Sequence, residues 1–210
     1  FSLLIVGGCI FAVVVFRINW KKSAKAISEY IDSAKILGIN IDPNAGIITR
    51  TLPNLFPYST STATGTGVYD YKDKKIVIFH TSESSRYYRQ ISGCLTVRST
   101  THQQITCFEI EWNGPAEGFS LVKKKNIKYL WGNQTNVKEI KDVGTDLAII
   151  TFNTGSVNIS KSLINEFEKL PFNCSLIYAE NKLRLTIEGW ISDADSIRTA
   201  CSFLFEASSQ

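Results

Sequence analysis

The residues best suited to acid–base or nucleophilic chemistry lie around the two histidines of the sequence. His80 is followed closely by Ser82 and Glu83, and His102 lies in the polar segment Ser99–Gln104. Serine, histidine and a carboxylate can form a catalytic triad, but a triad is defined by geometry that spacing alone does not supply. The sequence lacks a Gly-x-Ser-x-Gly nucleophile elbow, a His-Glu-x-x-His zinc motif and a dinucleotide fingerprint. It therefore predicts a protein that is not an enzyme and that uses no cofactor or metal.

Two glutamates follow the period of a strand. Glu109 and Glu111 alternate with Phe108, Ile110 and Trp112, so the carboxylates share one face and the apolar side chains the other. Paired carboxylates can do acid–base work. The alternation, however, predicts a solvated sheet face.

A basic cluster lies near the middle of the chain. Four lysines lie close to two aromatic residues: Lys123, Lys124, Lys125 and Lys128 beside Tyr129 and Trp131. Such a group can attract an acidic surface or stack on bases, but it is more often a solvated edge or loop. The net charge of +4, from 23 basic and 19 acidic residues, is too small to predict nucleic-acid binding.

The elements that must position these residues are mostly strands. The chain has 210 residues, 44% of them hydrophobic and 20% charged, which excludes wholesale disorder and allows a substantial core. Three hairpins are predicted: 68–71 with 75–80, 94–98 with 105–112, and 175–179 with 182–188. Helices are predicted over 160–170 and after Asp193 or Asp195, the second with Ile197, Cys201 and Leu204 facing the core.

The first sixteen residues, Phe1 to Phe16, form an uncharged apolar run. As a helix this run would extend about 24 Å, somewhat less than a bilayer core of about 30 Å. Beyond it, Trp20, Ala24, Ile27, Ile31 and Ala34 recur at four- and three-residue steps, the spacing of one helical face. Gly38 is a suitable C-cap, so the pattern predicts one helix of about 37 residues.

This opening resembles the mature N-terminus of type IV pilins and pseudopilins. The residues that carry the resemblance are Phe1, Ser2, Leu3, Leu4, Val6, Ile10 and Phe11. It implies a processed N-terminus at Phe1 and a helix that also includes Val14 and assembles in a membrane or filament core. The partners would be copies of the chain or related subunits, and the inner membrane before assembly. Ile5 stands where the family normally has glutamate, which suits a minor subunit.

An alternative hypothesis follows from the charges after the apolar run. Arg17, Lys21, Lys22 and Lys25 follow it directly, and positive charge favours the cytoplasmic side of a membrane. The protein would then be a single-pass accessory or scaffold subunit of a membrane complex with a cytoplasmic domain. The first hypothesis instead places it in the bacterial inner membrane and in a cell-surface filament.

Four cysteines outside the apolar run are candidates for disulfides: Cys94, Cys107, Cys174 and Cys201. Four cysteines allow three pairings. We favour Cys94–Cys107 across a hairpin and Cys174–Cys201 between a late strand and the last helix; pilins often carry a bridge near the carboxyl end. The alternative is four buried thiols in a reducing cytosol.

The predicted fold is α+β. A long N-terminal hydrophobic and amphipathic helix packs on a mainly antiparallel β-sheet domain that has a C-terminal helix. Residues 1–37 form the membrane or filament-core helix, 38–67 a connecting loop, and 68–210 the globular domain. The predicted function is that of a non-enzymatic, membrane-anchored filament subunit.

Overall fold

The computed structural model describes residues 25–41, 60–91, 95–115, 118–123, 139–144, 146–151 and 157–209, with the backbone alone for 60–66, 81–91 and 95–103. These residues form nine strands and three helices. The strands are β1 Asn40–Ile41, β2 Thr60–Tyr71, β3 Lys74–Ile91, β4 Leu95–Glu111, β5 Phe119–Lys123, β6 Glu139–Asp142, β7 Leu147–Thr151, β8 Cys174–Ala179 and β9 Lys182–Glu188. The helices are α1 (residues 25–37), α2 (Lys161–Glu168) and α3 (Ala194–Ala207).

All nine strands of the described residues belong to one antiparallel sheet. The spatial order is β1-β2-β3-β4-β9-β8-β5-β7-β6. The β8–β9 hairpin closes through Glu180 and Asn181, whose φ angles are 55° and 58°. Positive φ at both central residues is typical of the two-residue turn that matches the twist of paired strands.

The sheet has one face covered by helices, called here the helix face. Its strand residues include Ile76, Ile78, Phe108 and Leu185, which belong to the same buried cluster as residues of all three helices. Because side chains alternate along a strand, Phe79, Ile105 and Cys107 lie on the opposite face, where they form a second, smaller cluster. Both faces are therefore buried along the central strands.

Helix α1 packs on the helix face through Tyr30 and Ala34, which are 2% and 0% exposed. The apolar face predicted for this helix is not buried along its whole length, because Ile27 and Ile31 are 41% and 37% exposed. Gly67 of β2 permits the close approach, because a Cβ there would lie 2.5 Å from the Tyr30 hydroxyl oxygen.

The predicted fold class is wrong. The described residues form mostly antiparallel sheet with three short helices. Of the predicted 37-residue helix, residues 25–37 form α1, and residues 1–24 lie outside the described residues. Within the described ranges, no helix has the length and apolar character needed to span a bilayer. The apolar positions assigned to the membrane or filament core lie outside the described residues: Phe1, Leu3, Leu4, Val6, Ile10, Phe11 and Val14.

The second predicted hairpin is also wrong. Its two halves, 94–98 and 105–112, fall largely within the single strand β4, which pairs with β3 from Leu95 to Ile110. The polar segment between them suits a strand, because its threonines are β-branched. In the predicted connecting loop, residues 40–41 belong to β1 and 60–67 to β2. The domain boundaries stay a prediction.

Candidate functional site

A groove of about 450 Å³ lies between α2, α3 and the turn that joins β2 to β3. This volume falls within the range of small-molecule sites. We call it the α2–α3 groove. It is lined by Tyr71, Glu166, Lys169, Leu170, Arg198, Thr199, Ser202, Phe203 and Glu206.

The two helices that form the groove are fixed by N-caps and by a shared aromatic contact. The Ser160 hydroxyl accepts the Leu163 N–H at 3.1 Å, and Asp193 Oδ1 accepts the Ser196 N–H at 2.8 Å. Each cap satisfies a backbone donor that has no partner within its own helix. Phe167 of α2 and Phe203 of α3 are buried with ring centroids 6.1 Å apart. The spacing of the two helices is therefore set by packed rings.

The third wall is held against the C-terminal end of α3. Tyr71 packs edge-on against Phe205 with ring centroids 5.7 Å apart, and Lys72 Nζ lies 4.3 Å from the centre of the Phe205 ring. Lys74 Nζ donates to the Ser208 carbonyl at 3.0 Å. A cation at a helix C-terminus is favourable because the last carbonyls have no partners within the helix. These contacts position Tyr71 at the groove.

The charges that line the groove cancel. Glu166 and Glu206 contribute two negative charges, and Lys169 and Arg198 two positive ones. Arg198, Ser202 and Glu206 lie four residues apart and so follow one row along α3. The Ser202 hydroxyl donates to Glu206 Oε1 at 3.4 Å. The rim therefore offers both donors and acceptors without a net attraction for an ion.

One carboxylate of the groove has an unused acceptor. Glu166 Oε1 accepts from the Ser162 hydroxyl at 3.0 Å. Glu166 Oε2 is buried and has no hydrogen-bond partner in the described part of the chain. A buried acceptor without a donor is costly, because the lost hydration is not replaced. A small rotation of the Glu166 side chain would bring Oε2 to the groove, where a hydroxyl group of a ligand would supply the missing donor.

A second chemically distinctive group is the buried carboxylate of Glu109, on the face opposite the helices. Lys182 Nζ donates to its Oε1 at 2.8 Å, and Arg184 Nε donates to its Oε2 at 3.1 Å. The Glu109 side chain is 4% exposed and that of Arg184 is 11% exposed. Burial by itself would raise the pKa of Glu109, but the hydrogen bonds and charges of Lys182 and Arg184 outweigh it and hold the pKa below its usual range. The predicted solvated face is therefore wrong for Glu109, although Glu111 is exposed.

A third group joins α1 to the sheet. The His80 ring lies between Tyr30 and Trp190, at centroid distances of 4.5 Å and 5.7 Å. His80 Nε2 donates to the Ile191 carbonyl at 3.0 Å. The Tyr30 hydroxyl and Trp190 Nε1 are buried without hydrogen-bond partners among the described residues. Burial and, to a lesser degree, Cys201 raise the pKa of Tyr30, so the phenol stays neutral.

Replacing Tyr30 with phenylalanine is expected to raise the free energy of unfolding by about 1 kcal/mol, because it removes a buried hydroxyl that has no partner. Urea unfolding of the two proteins measures the change. Tyr178→Phe is the control, since the Tyr178 hydroxyl donates to Asn181 at 3.4 Å and its loss should give a small destabilisation. A clear loss of stability in Tyr30→Phe would contradict this reading of the cluster.

The residues considered for acid–base or nucleophilic chemistry lie on β3 and β4. His80 is enclosed by aromatic rings, and Ser82 and Glu83 follow it on β3. His102 pairs with Ser84 between β4 and β3. Of the predicted basic cluster, Lys123 donates to the Phe172 carbonyl at 2.8 Å. Its other members, residues 124–131, lie outside the described residues.

Both predicted disulfides are wrong. Cys174 and Cys201 are buried free thiols, and burial raises the pKa of each to about 12. Cys107 contacts the Thr186 hydroxyl at 3.7 Å. Cys94 lies outside the described residues, but Leu95 and Cys107 are twelve residues apart on one strand. That separation is about 40 Å in extended backbone, far beyond the Cα distance of about 7 Å that a disulfide spans.

Sequence reasoning missed the α2–α3 groove although part of its signal was present. Predicting that Ile197, Cys201 and Leu204 face the core leaves Arg198, Ser202 and Glu206 together on the outer side of the same helix. The contribution of α2 and of Tyr71 had no local signal, because it depends on contacts between distant parts of the chain.

No model of a known protein family matches the sequence, and no curated protein matches it significantly. Among solved structures, the fold is similar to the crystal structure of the mycobacterial trehalose monomycolate transport factor A, TtfA. The TM-score is 0.56 at 9% sequence identity, and the match covers 88% of this chain and 93% of that one. The two chains therefore share a fold.

The predicted membership of the type IV pilins, and with it the filament function, is wrong. The similar solved structure belongs to a transport factor, no pilin family model matches, and the shared fold is mostly antiparallel sheet. The pilin-type expectations of a disulfide and a membrane-spanning helix also fail in the described residues. The expected absence of enzymatic activity stays a prediction, as does binding to copies of the chain, to related subunits or to the inner membrane.

Proposed function

We propose that the protein is a non-enzymatic accessory factor in the transport of a sugar-headed lipid, and that the α2–α3 groove binds the sugar. The observation that carries the proposal is a groove of ligand size with balanced charges and an unused buried acceptor at Glu166. The location that goes with this function is a membrane or the cell envelope.

A neutral sugar suits the groove better than an ion does. Each hydroxyl both donates and accepts, which matches a rim that mixes carboxylates, cations and hydroxyls. Because two negative and two positive side chains line the groove, a charged ligand would meet as much repulsion as attraction. Tyr71 and Phe203 supply the apolar surface on which the C–H groups of a sugar ring pack.

The fold comparison supports the same ligand class. The similar solved structure is named for the transport of trehalose monomycolate, and trehalose is a neutral disaccharide. The proposal extends that class of ligand to this chain on the strength of the groove. It does not depend on any shared residue.

Titration calorimetry of the full chain with trehalose and with a soluble short-chain trehalose monoester tests the proposal. Binding to the disaccharide is expected with a Kd near the millimolar range, as befits a small open site. Glu166→Ala should weaken binding by at least about tenfold, because a hydrogen bond to a charged group is worth roughly 1.5–3 kcal/mol.

Glu168→Ala is the matched control, since Glu168 is an exposed carboxylate on the same helix outside the groove lining. The affinity of Glu168→Ala for trehalose should stay within twofold of that of the unmodified protein. No binding of either ligand, or equal weakening by both substitutions, would overturn the proposal. Release of free trehalose from the monoester during incubation would instead indicate an enzymatic function.

A further inference from the structure

Two strands of the sheet extend beyond all their neighbours in the described residues. The pairing of β2 with β3 ends at Thr60 and Ser84, and the pairing of β4 with β9 ends at Ile105 and Glu188. Beyond these points β3 and β4 continue to pair with each other, from Ser85 with Thr101 to Ile91 with Leu95. These seven pairs form a two-stranded ribbon about 20 Å long, called here the β3–β4 arm.

The arm carries most of the net charge of the protein. Residues 85–101 contain Arg86, Arg89 and Arg98 and no aspartate, glutamate or lysine. Their charge is +3, whereas the whole chain carries +4, so the remaining 193 residues carry only +1. The partner that the arm fits is therefore anionic.

The arm is also amphipathic. Strand alternation and the register place positions 89 and 91 of β3 on the same face as positions 95 and 97 of β4. Ile91, Leu95 and Val97 occupy three of these four positions, near the end of the ribbon, and Arg89 occupies the fourth. The other face has Arg86, Tyr88 and Arg98. Tyrosine and arginine are suited to the boundary between water and the apolar part of a bilayer.

We propose that the β3–β4 arm docks the protein on an anionic lipid bilayer, with its apolar end at the acyl boundary and its arginines at the headgroups. A bilayer accommodates both the charge and the apolar positions, whereas a nucleic acid would engage the arginines and leave Ile91, Leu95 and Val97 without an apolar partner. The inference uses the proposed function only for the membrane location. Its test involves no sugar, so the two can fail separately.

Vesicle flotation of the full chain tests the proposal. The probes are vesicles of phosphatidylcholine with and without 30 mol% phosphatidylglycerol, compared at low and at high salt. Binding to the anionic vesicles is expected to exceed binding to the neutral ones and to fall with salt. The triple variant Arg86→Gln, Arg89→Gln, Arg98→Gln should lower the partition coefficient on anionic vesicles by about a hundredfold, since each basic residue near such a surface contributes roughly fivefold.

The matched control removes the same charge from exposed positions elsewhere: Lys75→Gln, Lys141→Gln, Lys161→Gln. The fall in the partition coefficient of this control variant should be less than a tenth of the fall seen in the arm variant. A second variant, Ile91→Ser with Leu95→Ser, keeps the charge and should still weaken binding about tenfold.

Three outcomes would overturn the proposal. They are equal losses in the arm and control variants, equal binding of the unmodified protein to anionic and neutral vesicles, and salt-dependent binding of duplex DNA in place of vesicles. The vesicle comparison with the unmodified protein decides the question even if a variant does not fold.

Discussion

Replacing Glu109 with alanine is expected to lower the free energy of unfolding by about 3–5 kcal/mol at pH 7. The reason is the charge that would remain. The Arg184 side chain is 11% exposed and directs its Nε and Nη2 groups at one carboxylate oxygen of Glu109. Without that carboxylate, a buried guanidinium has no counterion, and burial of an unpaired charge is strongly unfavourable. Lys182, whose side chain is 37% exposed, can turn to water and contributes less.

Urea unfolding of the variant and of Glu111→Ala measures this effect. Glu111 lies two residues further along the same strand and is exposed, so its replacement should change stability by less than about 0.5 kcal/mol. Similar losses in the two variants would show that the Glu109 pair contributes no more than a surface ion pair.

The ion pairs of Glu109 with Arg184 and Lys182 also predict that the free energy of unfolding depends on pH. The pKa of Glu109 is lowered in the folded protein, whereas in the unfolded chain it is about 4.3. The unfolded state therefore binds the proton more readily. The stability that the pair contributes is complete above the unfolded pKa and is lost as the pH falls through the lower, folded value. The stability gap between the unmodified protein and Glu109→Ala should narrow on acidification below about pH 4, and a gap that widened would contradict this sign.

Replacing Phe167 with alanine is expected to cost about 3–5 kcal/mol as well, by leaving a cavity between α2 and the rest of the core. Phe167 is 0% exposed and lies 6.1 Å, ring to ring, from Phe203. The same substitution should abolish sugar binding, because it removes the contact that sets the distance between the two helices of the groove.

Two other substitutions serve as comparisons for the loss of stability expected in Phe167→Ala. Phe167→Leu keeps most of the volume and should cost only about 1 kcal/mol. Phe205→Ala removes a half-buried ring from the other helix, α3, and should cost less than Phe167→Ala. If Phe205→Ala were the more damaging of the two, the packing described here between α2 and α3 would be incorrect.

Local patterns predicted the elements whose signals are local. The β8–β9 hairpin, expected over 175–179 and 182–188, is found at Cys174–Ala179 and Lys182–Glu188. The helix expected over 160–170 is found at Lys161–Glu168, and Asp193 caps the last helix. Turn residues, caps and helical periodicity each act within a few residues, so they can be read along the chain.

The rest depends on contacts between distant segments. The order β4-β9-β8-β5 brings together strands whose pairing no local pattern encodes. Glu109 shows the consequence, because alternation correctly placed it opposite Phe108 but could not show that Arg184 faces it across the sheet. The α2–α3 groove could not be predicted for the same reason, because two of its residues, Tyr71 and Glu166, are almost a hundred residues apart in the sequence. The resemblance at the N-terminus led to the wrong family, because a run of sixteen apolar residues indicates apolar surroundings and is not specific to one family.

Amide chemical shifts measured during a trehalose titration would locate the bound sugar on the protein. Saturable shifts are expected at residues 166–170 and 198–206 and at Tyr71, with little change on β5, β6 and β7. Shifts that cluster elsewhere, or spectra that do not change at sugar concentrations well above millimolar, would contradict this expectation.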